Sequence, residues 1–245
     1  MQRSATRPDI QPPTEAIRSG FMVKVFLGFA ALCAISVAIS LGGHWFGRAI
    51  AMSGHTDDPT PHEIVIGNDV ILAPANEIRF ERARRDGVAK RLDLYLRWPD
   101  MAGYSEPAGD DFNHVGATKR ILFLSLEPRM MSRDMSGRFE PIYRSLIAYP
   151  GTAGTGRVSM HEFRPDSGYL NEVLAVADRE GTTPFVARCL SGDRAAESLA
   201  PCERDIEIGE GLSLSYRFPI QLLAEWQEVE KAVRVKAESL LETAR

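Results

Sequence analysis

The feature that most constrains this chain is an uncharged apolar segment, Val25–Gly43, near its N-terminus. Its sequence, VFLGFAALCAISVAISLGG, runs for nineteen residues without a charge. As a helix it would be about 28 Å long, close to the thickness of the hydrocarbon core of a bilayer. A buried helix of a water-soluble core rarely stays uncharged over this length, and a surface helix would show a polar face. The segment therefore predicts a single transmembrane helix, which we place at residues 21–47.

Charges on the two sides of this segment predict how it crosses the membrane. Four basic residues precede it: Arg3, Arg7, Arg18 and Lys24. Because cytoplasmic flanks carry the excess of Lys and Arg, residues 1–20 are expected to form a disordered cytoplasmic tail, with the C-terminal part exported. The Ala-Ile-Ala sequence at 49–51 resembles a signal-peptidase site, but the apolar stretch exceeds the usual length of about 7–15 residues. We predict a retained single-pass anchor in the inner membrane.

The three cysteines agree with export to an oxidising compartment. Cys33 lies inside the apolar segment, whereas Cys189 and Cys202 lie in the exported part with twelve residues between them. A metal site would need two more ligands nearby, and the sequence offers none there. We predict a Cys189–Cys202 disulfide, which contributes about 3 kcal/mol by closing that loop. The absence of any Asn-x-Ser/Thr sequon favours a bacterial periplasm over a secretory lumen.

The pattern beyond the span predicts a mainly β fold. Residues 48–62 are expected to be a Pro-rich linker, and residues 63–218 an exported β domain. Glu63–Leu72 contains two apolar runs about a Gly-Asn-Asp turn, which indicates a hairpin. Arg91–Trp98 alternates apolar and polar residues, and Ile121–Leu126 is apolar on both faces, as in a strand covered on both sides. Short strands then follow at a spacing typical of an antiparallel sandwich or open barrel.

The C-terminal residues 219–245 are predicted to form an amphipathic helix. Pro219 suits the first helical position. Apolar residues recur at steps of three and four: Leu222, Trp226, Val229, Val233, Ala237 and Leu240. Such a helix either covers a face of its own sheet or pairs with the helix of a partner, and the first arrangement is the more frequent.

The sequence contains no specific catalytic, cofactor or metal motif. Gly151–Gly156 (GTAGTG) precedes a strand-like segment and no Lys follows, so we interpret it as a loop and not a phosphate site. A Pro-rich linker holds most of the candidate metal ligands: His55, Asp57, Asp58, His62 and Glu63. Such a linker cannot fix ligands tightly, so we expect no metal and no cofactor. Ser159, His161 and Asp166 lie close in sequence, but the chain has no Gly-x-Ser-x-Gly elbow. We therefore interpret them as polar residues on the solvent face of a strand and not as a catalytic triad.

One basic segment stands out from an acidic background. Residues 79–97 contain seven basic and three acidic residues, whereas residues 44–245 carry 25 basic and 31 acidic ones. The segment predicts contact with anionic headgroups, an acidic glycan or an acidic protein, or else a surface hairpin whose arginines pair with local acids. Its candidate partner-binding residues are Arg79, Arg84, Arg85 and Arg91. A methionine-containing loop at residues 128–139 is a second candidate contact surface.

These features favour a non-enzymatic, membrane-anchored periplasmic interaction or scaffold protein, an accessory subunit of an envelope or membrane complex. The expected partners are a membrane protein and the bilayer through residues 25–43. Nucleic acid is not expected, because the chain has no basic excess. One alternative is a lipid- or glycan-binding module, although bulky strand residues argue for a closed interior. Another is an exported hydrolase, which requires His161 or His114 in a cleft beside a serine or carboxylate.

Overall fold

The computed structural model describes residues 19–51, 54–114 and 120–242. The chain divides into two compact units, residues 1–50 and residues 51–245. The described part of the first unit belongs to one helix, α1 (Ser19–Ala51). Within it, Met22–Ser40 is long and apolar enough to cross a membrane, with a mean hydropathy of 2.3, which an anchor and a signal sequence both satisfy. The predicted tail, apart from its last two residues, lies outside the described residues.

The second unit is mainly β, as predicted. Eleven strands are described: β1 (Pro61–Ile66), β2 (Asp69–Pro74), β3 (Gly87–Val88), β4 (Leu92–Arg97), β5 (Ile121–Pro128), β6 (Thr152–Ala153), β7 (Ser159–Glu162), β8 (Glu172–Ala177), β9 (Phe185–Leu190), β10 (Cys202–Ile208) and β11 (Leu212–Phe218). β2–β1–β3 form a small sheet, in which β3 runs parallel to β1. The other eight form an antiparallel sheet in the order β4–β5–β11–β10–β9–β8–β7–β6. The described strands therefore form an open sheet and not a closed barrel.

Short helices connect these strands, and a longer one ends the described chain. They are α2 (Gly109–Phe112), α3 (Arg144–Leu146, after a π-helical turn at Phe139–Tyr143), α4 (Gly192–Glu197) and α5 (Trp226–Leu240, after a 3₁₀ segment at Ile220–Glu225). Further 3₁₀ turns occupy Ala75–Glu77, Glu81–Ala83 and Glu106–Ala108. The amphipathic pattern of α5 was the basis for predicting a C-terminal helix, and that helix is confirmed.

The main core lies between the large sheet, the small sheet and α5. Period-2 alternation places Ile206 and Ile208 of β10 on this inner face beside Leu212 and Leu214 of β11, all at most 3% exposed. The apolar stripe of α5 contributes Trp226, Val229, Val233, Ala237 and Leu240 to the same cluster. Helix α5 therefore packs on its own sheet, the first of the two arrangements considered from sequence.

Within the large sheet, β9 and β10 are joined by few ladder contacts. The two strands are in register only at Cys202–Cys189 and Glu203–Arg188. Cys189 and Cys202 form a disulfide there, with Cα atoms 4.0 Å apart. The guanidinium of Arg204 fills the space where the strands then separate, and donates to the carbonyl oxygen of Val186. We call this region the β9/β10 seam.

Part of the predicted linker, from residue 54 onward, is packed within the second unit. The His55 ring stacks on the Tyr104 ring, with centroids 4.7 Å apart, and its Nδ1 lies 3.1 Å from the Tyr95 hydroxyl. Burial raises the pKa of that tyrosine to about 12. The first strand begins at Pro61, and α1 continues to Ala51. These contacts could not be predicted from the polar composition of residues 48–62, because the aromatic partners of His55 lie much later in the chain.

Candidate docking groove

A groove crosses the outer face of the large sheet, opposite α5. Its volume is about 640 Å³, and its floor is formed by β4, β5, β11 and β10. Ser125, Ser213 and Ser215 lie on this floor because they alternate with the buried leucines of β5 and β11. Small hydroxyl side chains leave the face concave and polar. We call this feature the docking groove.

Two small apolar clusters cover the rest of this outer face. Phe139 and Tyr143 of the π-helical turn pack with Val186 of β9 in one cluster. Tyr104 and Phe112 pack with Tyr95 of β4 in the other. The docking groove is the strip of sheet between these two clusters.

Most charges in the groove are neutralised within the domain. Arg91 lies 2.8 Å from Asp93 and 2.7 Å from Glu127, and its Nη2 donates to Ser125. On the other side, Arg138 forms an ion pair with Asp205. Burial raises the pKa of the Asp205 carboxyl even though Arg138 favours its charged form. These ion pairs neutralise the charged side chains on the two sides of the groove.

One end of the groove carries two arginines beside an aromatic ring. The Arg79 guanidinium lies over the Phe123 ring, 4.6 Å from its centroid, and Arg217 is the cross-strand neighbour of Phe123. Both arginines are exposed, and neither forms an ion pair with any residue that the structure describes. This end therefore offers two free positive charges beside an accessible apolar surface.

Exposed methionines line another part of the groove. The side chains of Met130 and Met131 are 87% and 53% exposed. The loop that carries them is anchored, because the Arg129 N–H donates to the Gly211 carbonyl at 2.7 Å. The third methionine of the segment, Met135, is buried in the cluster under the π-helical turn. Two accessible, adaptable apolar side chains are thus held on a fixed base.

The structure does not bring the four predicted partner-binding arginines together. Arg79 and Arg91 line the docking groove. Arg84 instead donates to the backbone carbonyls of Ile78 and Gly54. Arg85 lies in a second depression of about 370 Å³ beside β3, which Arg91 also lines. The basic segment therefore divides between two surfaces.

Phe123 and Arg217 are groove residues that the sequence did not single out. Ile121–Leu126 is apolar in both phases, so we expected a strand covered on both sides. In the structure one phase of β5 is buried, whereas Phe123 is only partly covered and faces the groove. A run of apolar residues does not reveal which of them stays accessible, because that depends on how far the neighbouring clusters extend.

Comparisons with known proteins leave the function open. No family model and no curated protein matches the chain. An immunity protein of the Stenotrophomonas maltophilia type IV secretion system is similar with a TM-score of 0.49 and 13% identity, over 77% of this chain and 96% of that one. The iron-regulated outer membrane lipoprotein FrpD of Neisseria meningitidis gives a TM-score of 0.41 and 10% identity, over 77% and 97%. Similarities of this size leave the function to be argued from the chain's own residues.

Of the two histidines considered for hydrolysis, His114 lines a depression of about 200 Å³ whose described lining includes no serine and no carboxylate, and His161 is enclosed. His161 is 6% exposed; its Nε2 lies 3.1 Å from the Ser159 hydroxyl and its Nδ1 lies 3.1 Å from the carbonyl oxygen of Ala148. The Tyr149 ring and the backbone of Gly151 cover the imidazole. The Nδ1 contact thus holds the loop before β7 in place, whereas the Nε2 contact stays within β7, and neither nitrogen faces a cleft.

The linker histidines are engaged in separate contacts. His55 belongs to the aromatic cluster with Tyr104, whereas His62 Nδ1 lies 3.2 Å from the carboxylate of Asp86. Among the described residues, no group of three His, Cys, Asp or Glu side chains is placed to hold a metal.

Proposed function

We propose that this chain is a membrane-anchored periplasmic docking protein, an accessory subunit of an envelope complex, which binds a protein partner through the docking groove. The observation that carries this proposal is the arrangement of Arg79, Phe123 and Arg217 at one end of the groove. Two free cations and an aromatic ring there fit a partner segment that combines an acidic with an apolar side chain.

The charge distribution in the groove supports a specific partner. Of the charged side chains that line it, only Arg79, Arg217 and Glu197 form no ion pair among the described residues. A partner therefore meets a positive end and a single free carboxylate instead of a general charge. Such patterns fix the register of a complex and raise its association rate more than its affinity.

The exposed methionines supply the apolar area that such a contact needs. Met130 is among the most exposed large apolar residues of the second unit. Flexible thioether side chains adapt to a partner surface, and their burial contributes roughly 25 cal/mol per Å² of apolar area. Helix α5 is not needed for this contact, because its apolar stripe is buried in the core.

A retained span strengthens a weak contact of this kind. The span would confine the domain near the membrane and raise its effective concentration for partners in the same membrane. The interior of the domain offers less to a ligand, because Leu94, Leu122 and Leu214 fill it at 0% exposure. This filling favours protein docking over the lipid- or glycan-binding alternative.

The test is purification of the tagged full-length protein in mild detergent, followed by mass spectrometry of the proteins that accompany it. We expect one membrane protein in fixed ratio, and its loss in the Arg79→Glu/Arg217→Glu variant. The Arg164→Glu/Arg194→Glu variant is the matched control, since both residues are exposed and lie outside the groove. Recovery of the protein alone, or equal recovery with both variants, contradicts the proposal.

A further inference from the structure

The part of the basic segment that does not face the docking groove forms a second surface. It comprises Arg82–Lys90, which we call the basic loop, and it includes the edge strand β3. Val88 at its tip is 87% exposed. Parallel pairing of Val65 with Val88 fixes that side chain in position, and the Ala89 N–H donates to the Val65 carbonyl at 2.9 Å. The protruding valine is therefore held by the sheet.

Free positive charges surround this valine. Arg82, Arg85 and Lys90 are exposed, and none of them forms an ion pair or side-chain hydrogen bond with the described residues. Of the nearby acids, Asp86 accepts hydrogen bonds from the Glu63 N–H and the His62 ring. Glu63 and Glu81 are the others, so the four basic residues of the loop exceed these three acids by one charge.

An exposed aromatic ring extends the apolar part of this surface. The Phe80 side chain is 37% exposed, and the guanidinium groups of Arg79 and Arg82 lie 5.0 and 5.4 Å from its ring centroid. Single apolar side chains among basic ones suit the interface of an anionic bilayer, where the apolar groups enter the headgroup boundary and the cations stay beside the phosphates.

We infer that the basic loop binds the anionic lipid surface of the membrane in which the chain is anchored. The inference rests on the proposed anchoring by residues 25–43. Arg84, inside the loop, donates to the carbonyl of Gly54. Ten residues separate Gly43 from Gly54, so Arg84 ties the basic loop to chain that lies a short covalent distance from the proposed span.

The experiment uses the full chain in nanodiscs, of phosphatidylcholine alone or with phosphatidylglycerol. An environment-sensitive dye is attached to the Val88→Cys variant, in which Cys33→Ser removes the other free thiol. We expect a blue-shifted emission in the anionic discs only. The shift should disappear at about 1 M salt, where the Debye length falls to about 3 Å. Hydrogen exchange of the unlabelled wild type provides a second measurement, with amides of Gly87–Lys90 several-fold slower in the anionic discs.

A matched pair of triple variants tests the charges. Arg82→Gln/Arg85→Gln/Lys90→Gln should lose the emission shift and the slowed exchange. Arg164→Gln/Arg194→Gln/Lys231→Gln removes the same charge from exposed positions elsewhere, and should keep both. Identical results in the two kinds of disc, or protection that arises only when a protein partner is added, overturn the lipid contact. Failure of the full chain to insert overturns the proposed anchoring instead, and with it this inference.

Discussion

Arg204 donates a hydrogen bond of 2.8 Å from its Nη1 to the backbone carbonyl of Val186, across the point where β10 and β9 separate. The side chain, 1% exposed, takes the place of ladder hydrogen bonds that the β9/β10 seam lacks. Its Nε donates to Glu230 of α5 at 3.0 Å, and Arg179 donates to the same carboxylate. One guanidinium therefore joins both halves of the sheet to the helix that covers them.

The Arg204→Ala variant should be strongly destabilised. Removing one partner of a buried ion pair costs about 3–5 kcal/mol, because the other charge stays buried without full compensation. The measurement is the free energy of unfolding in urea, with the full chain in detergent. Arg217→Ala, on the exposed face of the adjacent strand, is the control and should change stability by less than about 0.5 kcal/mol. Equal effects of the two substitutions would show that Arg204 does not stabilise the β9/β10 seam.

Loss of the Cys189–Cys202 disulfide should weaken the same seam. The bond joins β9 and β10 at one of their two registered pairs, and a loop of this length is worth about 2–4 kcal/mol. We expect Cys189→Ala/Cys202→Ala to lower the urea midpoint by the same amount as reduction of the wild type. The variant itself should be insensitive to reductant. Cys33→Ser should leave the midpoint unchanged.

Elements with a visible period could be predicted from the sequence, whereas contacts between distant segments could not. In Leu92–Arg97 and in the β10–β11 hairpin, apolar and polar residues alternate within one continuous stretch of chain. The predicted oxidising compartment indicated the Cys189–Cys202 disulfide. The alternation also places Arg204 in phase with the buried Ile206. Nothing in that pattern reveals Glu230, because the carboxylate that makes this burial tolerable lies on another element.

The docking groove, too, could be predicted only in part, because it is formed by segments that are distant in the sequence. The basic segment and the methionine loop were noted separately, and the fold brings Arg79, Arg91, Met130 and Met131 into one groove. Arg84 has the same residue type and sequence context as its neighbours, yet it is used to hold Gly54. Composition predicts that a surface is charged, but the paths of neighbouring loops decide which charges stay free.

Acidification should destabilise the second unit through His55. Burial, together with the positive charges of Arg84 and His114, lowers the pKa of this imidazole below 6.5, although a hydrogen bond with Asn113 opposes the shift. The full contribution is present above pH 6.5, where the ring is neutral in both states. It is lost as the pH falls toward the folded-state pKa, because the unfolded chain then binds the proton more readily.

The variant His55→Phe keeps a ring for stacking on Tyr104 but cannot titrate. We expect its free energy of unfolding to fall less than that of the wild type between about pH 7 and pH 5. Urea titrations at several pH values give this difference directly, since the other titrating groups are common to both proteins. Parallel curves would show that His55 does not contribute to the pH dependence.

Gly156 should be far less replaceable than Gly192, although both adopt left-handed backbone conformations with φ of +63° and +60°. A Cβ atom at Gly156 would lie 2.6 Å from the carbonyl oxygen of Ala224, whereas the same atom at Gly192 would meet nothing within 4 Å. Both alanine variants carry the left-handed cost of about 1–2 kcal/mol. Overpacking against backbone should add about 1–3 kcal/mol to Gly156→Ala alone. Thermal unfolding of the two variants measures the difference, and equal midpoints would contradict this packing of the glycine-rich loop.

The exposed methionines should matter for partner binding and not for folding. Met130→Ser/Met131→Ser removes apolar side chains that are already in contact with solvent, so the free energy of unfolding should stay within about 0.5 kcal/mol of the wild-type value. Met135→Ser, in the same segment but 2% exposed, should cost about 2–4 kcal/mol through lost packing and a buried hydroxyl. In the affinity purification from detergent, the double variant should lose the accompanying membrane protein although it remains folded. If it keeps the partner in the wild-type ratio while Arg79→Glu/Arg217→Glu does not, the contact is confined to the arginine end of the groove.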